Sequence, residues 1–280
     1  MSLDFDLPDW LESFRPDDDL YANAYEGTPA GLRALLKTAI AFAFHRWKAD
    51  ADESHMQTKS LRAGFCRAET SRPADWVLAV VSEDFASPAR LLAALVPAII
   101  AGTGRTAVVS PAPFAPAVAT ALELSGLEDS FVLDDARTAD LYEDLRAASS
   151  DGRVIVLGGG AQLSAGQKDL LHRASADGVP EFRDHAAPRL LSLYGKTDGD
   201  ACGLSADEVK KRLLWLHPDA VLLDEPEDGM QAIFAPEGAA LPFRVPLTAG
   251  PGMEACWQSL SPEFFRTRTL SAHLVQENQS

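Results

Sequence analysis

Apolar positions between residues 74 and 157 fall in short continuous runs separated by longer segments with helical spacing. The runs at 76–81 (WVLAVV), 106–110 (TAVVS), 131–133 (FVL) and 153–157 (RVIVL) are unbroken by polar alternation, the pattern of strands buried on both faces. Between them lie Ala- and Leu-rich segments at 87–101, 114–125 and 139–148. Ser87-Pro88 opens the first of these with an N-cap and a proline in the first turn, and Gly102 and Gly126 are C-terminal stops. Strand alternating with helix predicts a three-layer, Rossmann-like α/β fold built on a parallel sheet.

The flanks have other patterns. Residues 1–28 are acidic and carry Phe5, Trp10, Phe14, Tyr21 and Tyr25, which reads as a helical arm packing on its own domain or on a second subunit. Thr28-Pro29 then begins a long helix whose Leu32, Leu35, Leu36, Ile40, Phe42, Phe44 and Trp47 cover a broad face. Residues 49–74 are polar, either a second helix or an extended excursion. Beyond 160 the pattern loosens into a C-terminal lobe. A helix is expected at 164–176, a strand at 190–194, and a helix at 205–217 opened by the Ser205/Glu208 capping box. The short apolar runs at 220–223, 232–235 and 243–247 read as hairpins or edge strands, and the tail from 270 as frayed. The expected division is an arm and helical region over 1–72, the α/β core over 73–162, and a C-terminal region over 163–280, separate or within the same domain.

Charge narrows the function. The 280 residues carry a formal net charge of -16, which repels phosphate backbones and argues against nonspecific nucleic-acid binding. The three cysteines, Cys66, Cys202 and Cys256, have no short spacing, so neither a disulfide framework nor a cysteine zinc site is expected. The acidic N-terminus has no basic region followed by an apolar core, unlike a signal peptide. The longest apolar helix candidate, 91–102, is too short to span a bilayer. The expectation is a cytoplasmic protein that meets a small-molecule ligand and neither nucleic acid nor membrane, with self-association through the aromatic arm as one use of that arm.

Candidate chemistry lies where the strands end, because open α/β sheets bind ligands there. Ser82, Glu83 and Asp84 follow the first strand and Ser110 closes the second. The two acids oppose an anionic ligand unless they meet hydroxyls; the alternative is a solvated loop with Ser87 as helix cap. Gly158-Gly159-Gly160 follows the fourth strand and precedes a helix. Its backbone N–H groups could approach a phosphate, or the glycines could serve a tight turn. Cys202, in Gly199-Asp200-Ala201-Cys202-Gly203, is the one candidate nucleophile, with His185 or His217 as base; the other reading is a structural thiol. No two histidines have helical metal-pair spacing, and although His172, His185 and Asp184 could converge, no metal site is assigned. The acidic stretch at 224–228 reads as a solvated turn.

Residues 76–126 resemble the nucleotide-binding half of histidinol dehydrogenase and its aldehyde dehydrogenase relatives. Ser87-Pro88, Val96-Pro97-Ala98, Ala101-Gly102, Ser110-Pro111 and Leu124-Ser125-Gly126 fall in matching order. Gly159-Gly160-Ala161-Gln162 is similar to a turn of histidinol dehydrogenase, placed farther along than in that family. The resemblance implies a Rossmann-like domain with NAD or NADP held at Ser82, Ser110, Gly158, Gly159 and Gly160. The departures are that Ser110-Pro111-Ala112-Pro113 has no lysine where the aldehyde dehydrogenases place one, no cysteine has their catalytic context, and the histidinol dehydrogenase zinc set and Glu–His pair are not found. Two functions follow: a divergent NAD(P)-binding dehydrogenase-like protein, with Cys202 as nucleophile if the chemistry is covalent, or a non-catalytic binding or assembly module on the same fold.

Overall fold

The computed structural model describes residues 6–47, 55–60, 65–160, 162–194, 205–236, 239, 245–258 and 260–274. The buried runs form the expected parallel sheet. Its strands are β3 (Trp76–Val81), β4 (Arg105–Ser110), β5 (Ser130–Val132), β6 (Gly152–Leu157) and β7 (Glu181–Asp184), in the order β5-β4-β3-β6-β7. All four pairings are parallel. Successive side chains leave a strand on opposite faces, so each run feeds two cores. Val77, Ala79, Val81, Ile155 and Leu157 pack with helices α3 (Pro88–Ala101) and α4 (Pro116–Ser125). Trp76, Leu78, Val80, Val154 and Val156 pack on the other face with α5 (Asp135–Ala148) and α6 (Ala165–Ala176). This is the three-layer α/β arrangement. Among the described residues no helix is long and apolar enough to cross a membrane.

The helix signals act as their chemistry requires. The Ser87 side chain accepts from the Arg90 N–H, and Gly102 and Gly126 end α3 and α4 in the left-handed region, at φ 73 and 70. Ser164 and Gln167 close a full capping box on α6, and Ser205 and Glu208 do so on α7 (Ala206–Leu216). The third crossover helix begins earlier than residue 139, because Asp134 accepts from the Arg137 N–H and caps α5 there.

The arm packs on its own domain. A 3-10 turn (Asp9–Phe14) buries Leu11 in the sheet's second core, and the Trp10 indole donates to Asp144 at 2.9 Å. Helix α1 (Asp18–Gly27) lies within the arm, and α2 (Ala30–Trp47) packs on α3. The polar excursion contains strands β1 (His55–Ser60) and β2 (Phe65–Pro73), residues 49–54 and 61–64 lying outside the described part. The expected frayed tail is instead β12 (Arg266–Leu274), paired antiparallel with β2 along nine residues; 275–280 lie outside the description. A strand with a long partner is ordered by its ladder, whatever its polarity.

The C-terminal runs were expected as hairpins or edge strands. They form a second parallel sheet of β8 (Arg189–Ser192), β9 (Val221–Leu223), β10 (Ala232–Phe234) and β11 (Leu247–Ala249), ordered β11-β10-β8-β9. The connection from β8 to β9 contains the expected helix, α7, and makes a crossover, and the short runs pair in parallel where hairpins or edge strands were expected. Residues 243 and 244 of the last run lie outside the described part.

Arg90 ties the two sheets together. Its side chain has no exposed surface. Its Nε donates to Asp184 Oδ2 at 3.1 Å, and Nη2 reaches Asp184 Oδ1 at 3.0 Å and the Asp184 carbonyl at 2.8 Å. Nη1 donates to the Gly158 carbonyl at 2.9 Å and to Asp219 Oδ2. All five guanidinium donors are used. Asp219, between α7 and β9, is itself buried, and burial pushes its carboxyl up from the ordinary value although the Arg90 charge opposes this.

Removing one partner of a buried pair leaves the other charge stranded. Arg90→Met is expected to cost about 3–5 kcal/mol in urea denaturation. Arg90→Lys should recover less than half of that, because an ammonium cannot reproduce the planar fork. A loss below about 1 kcal/mol for Arg90→Met, within the range of surface pairs, would contradict the role assigned to it.

Candidate functional site

The sheet's strand order reverses about β3: the chain runs outward through β4 and β5, then returns to place β6 on the other side. Loops diverge at such a point and leave a crevice beyond the strand ends. Here it is a cleft of about 820 Å³. Val80, Pro111, Leu133 and Ala136 supply apolar wall, while Ser82, Ser110, Gln162, Ser164 and Gln167 supply hydrogen-bonding groups. Glu83, Asp84, Asp134 and Asp135 also line it. No lysine or arginine is among the described lining residues.

The fold thus brings Ser82 and Ser110 together in one cleft. Ser110 is buried, and its Oγ accepts from the Ala112 N–H at 3.3 Å. The three glycines are not among the lining residues but stand behind them. The Gly159 N–H donates to Ser82 Oγ and to Asp84 Oδ1, both at 3.2 Å, and Ser82 Oγ–H donates to the same carboxylate oxygen. The Gly158 carbonyl belongs to the same peptide unit, and it accepts from Arg90. That peptide is therefore held at both ends, by a guanidinium on one side and a carboxylate on the other. A Cβ at 159 would lie 2.1 Å from the Asp84 carbonyl oxygen, so glycine is required for this close approach. Gly160 takes φ 115, the positive value that a tight turn demands. Ala161, within the turn similar to that of histidinol dehydrogenase, lies outside the described residues.

Asp134 and Asp135 were not singled out from the sequence, although an Asp-Asp pair directly after a strand is a recognisable helix-capping signal. Asp135 accepts from Ser164 Oγ at 3.1 and 3.0 Å and from the Gly166 N–H at 3.2 Å. It thereby places a carboxylate on the N-terminus of α6, where the helix dipole favours negative charge.

Of the candidate reactive groups, Cys202 lies outside the described residues. Cys66 and Cys256 are buried free thiols. Burial, with Glu254 adding to it, pushes the Cys256 thiol up to about 11, so it stays protonated at neutral pH. His172 and His185 are exposed, and Asp184 is engaged by Arg90. Among the described residues no group of three His, Cys, Asp or Glu could hold a metal ion. The acidic stretch after β9 is an exposed turn in which Glu227 pairs with Arg189.

No protein-family model matches this sequence, and no curated protein does. Solved structures do share its fold. Histidinol dehydrogenase from Elizabethkingia anophelis is similar at TM-score 0.55 and 10% identity, covering 93% of this chain and 77% of that one. Succinate-semialdehyde dehydrogenase from Burkholderia pseudomallei is similar at TM-score 0.40 and 13% identity, covering 78% of this chain and 45% of that one. The chain thus spans less than half the length of the latter. It has a divergent dehydrogenase-like fold, in agreement with the resemblance carried by residues 76–126.

His217 is no candidate base, being wholly buried at the end of α7. Its Nε2 lies 3.1 Å from the Glu254 carbonyl oxygen, and its ring packs 5.1 Å from that of Trp257. Burial chiefly, and the Arg90 charge, pull its pKa down to about 4 against the opposing hydrogen bond. Between the ordinary value of 6.5 and about 4 the unfolded chain binds a proton that the folded chain does not, so stability falls as pH falls through that window. The group accounts for a loss on the order of 3 kcal/mol. Chemical denaturation from pH 7 to pH 4 should show a shallower decline for His217→Phe than for the unsubstituted chain; parallel profiles would refute this.

Proposed function

We propose that this chain is a non-catalytic binding module on a dehydrogenase-like fold, whose strand-end cleft takes a neutral or cationic hydrogen-bonding small molecule. The observation that carries this reading is the polarity of the cleft. Four carboxylates line it, and no described lining residue is cationic. A pyrophosphate needs backbone N–H groups, a helix N-terminus or a cation. The Gly159 N–H is taken by Asp84, and the α6 N-terminus by Asp135. The residues present therefore do not fit the phosphates of NAD or NADP. Neither described thiol suits covalent catalysis, since both are buried and Cys256 is held protonated. The serine hydroxyls, Gln167 and the carboxylates suit a ligand bearing hydroxyl or amino groups.

The cofactor reading draws support from the fold and from the cleft's position at the strand ends. Titration calorimetry separates the two. NADH and NADPH are expected to give no saturable heat up to millimolar concentration. Spermidine or inositol, as cationic and neutral probes, should raise Tm, and Glu83→Gln should weaken the spermidine shift. Micromolar NADH binding would overturn the proposal in favour of the cofactor reading.

A further inference from the structure

Asp84 and Asp135 enter the cleft from different elements, one from the loop after β3 and the other from the first residue of α5. Each nevertheless does the same thing. Each places a carboxylate on a backbone N–H that follows β6, and each draws in a serine hydroxyl as a second donor: Ser82 for Asp84, Ser164 for Asp135. Each also approaches a glycine that no other residue could replace in place. A Cβ at 159 would lie 2.8 Å from the Asp84 carboxyl carbon, and a Cβ at 166 would lie 2.2 Å from that of Asp135. The two glycines and two serines form cradles for anionic oxygens, and the oxygens they hold belong to the chain itself.

We infer that Asp84 and Asp135 are the specificity-determining residues of the cleft. They stand where the oxygens of an anionic ligand would otherwise be bound, and exclude phosphates by occupying their donors and by repulsion. This rests on the reading of the cleft as a site for neutral or cationic ligands. Its consequence is that the scaffold beneath them remains competent to hold an anion. Removing the two carboxylates frees the Gly166 N–H and both serine hydroxyl protons, and leaves the Gly159 N–H only its 3.2 Å bond to Ser82 Oγ, without altering the glycines that let a ligand approach.

The test is calorimetric titration of inorganic pyrophosphate and of NADH into the unsubstituted chain and into Asp84→Ala/Asp135→Ala. The double variant is expected to bind pyrophosphate about tenfold to a hundredfold more tightly, the range for recovering hydrogen bonds to a charged group. A folded double variant with no gain would overturn the inference and leave the neutral-ligand reading intact. Micromolar NADH binding by the unsubstituted chain would instead overturn that reading and, with it, the inference that rests on it. Should the alanine variant fail to fold, the isosteric Asp84→Asn/Asp135→Asn chain decides. It keeps the shape and removes both charges, so at least a severalfold gain in pyrophosphate affinity supports the inference and an unchanged affinity overturns it.

Discussion

The arrangement depends on one buried guanidinium. Arg90 has no exposed surface, and a charge in that position is tolerated only where its donors all meet acceptors. Those acceptors come from the ends of β6 and β7 and from the connection between α7 and β9. For all of them to meet, β6 must lie beside β7, and the second sheet must present Asp219 to the start of α3. The pair contributes little net stability, since desolvation offsets much of the Coulomb attraction. Its effect is on docking: with the second sheet displaced, Arg90 would keep Asp184 of the first sheet but lose Asp219.

The same residue bears on the cleft. The peptide joining Gly158 to Gly159 is held by Arg90 at its carbonyl and by Asp84 at its N–H. A glycine turn at a strand end ordinarily offers its amides outward, and here the amide is engaged from within. Asp135 does the corresponding thing at α6. A fold whose strand ends suit anionic ligands thus carries a cleft lined by four carboxylates and, among the described lining residues, no lysine or arginine, and function has to be argued from the site and not from the fold.

Much of the core was legible from pattern. Continuous apolar runs, Ser87-Pro88, Gly102, Gly126 and the Ser205 capping box each act through a few neighbouring residues, so their meaning survives without the rest of the chain. The elements misread were those whose order comes from distant partners. β12 is polar at Arg266, Thr267, Arg268 and Thr269, and it is ordered by β2, nearly two hundred residues earlier. The short runs of the C-terminal lobe gave no sign of parallel pairing, because strand direction depends on where the connecting helix lies. Of the cleft's lining, the placement of Ser82, Glu83, Asp84 and Ser110 at strand ends could be read, since strand ends are predictable. Asp134 and Asp135 were passed over because a capping pair and a ligand-facing pair look alike in sequence.

The sequence by itself determined which segments are helix or strand in the core, where α3 begins, where α3 and α4 end, and that the chain is strongly acidic. These follow from local sterics, capping hydrogen bonds and side-chain periodicity, which act over a few residues. Only the tertiary structure decided that Arg90 is buried among Gly158, Asp184 and Asp219, and that Asp84 and Asp135 hold Gly159 and Gly166. Those contacts join residues 31 to 129 positions apart. Chain closure over such distances is a property of the whole packing, and no local rule records it.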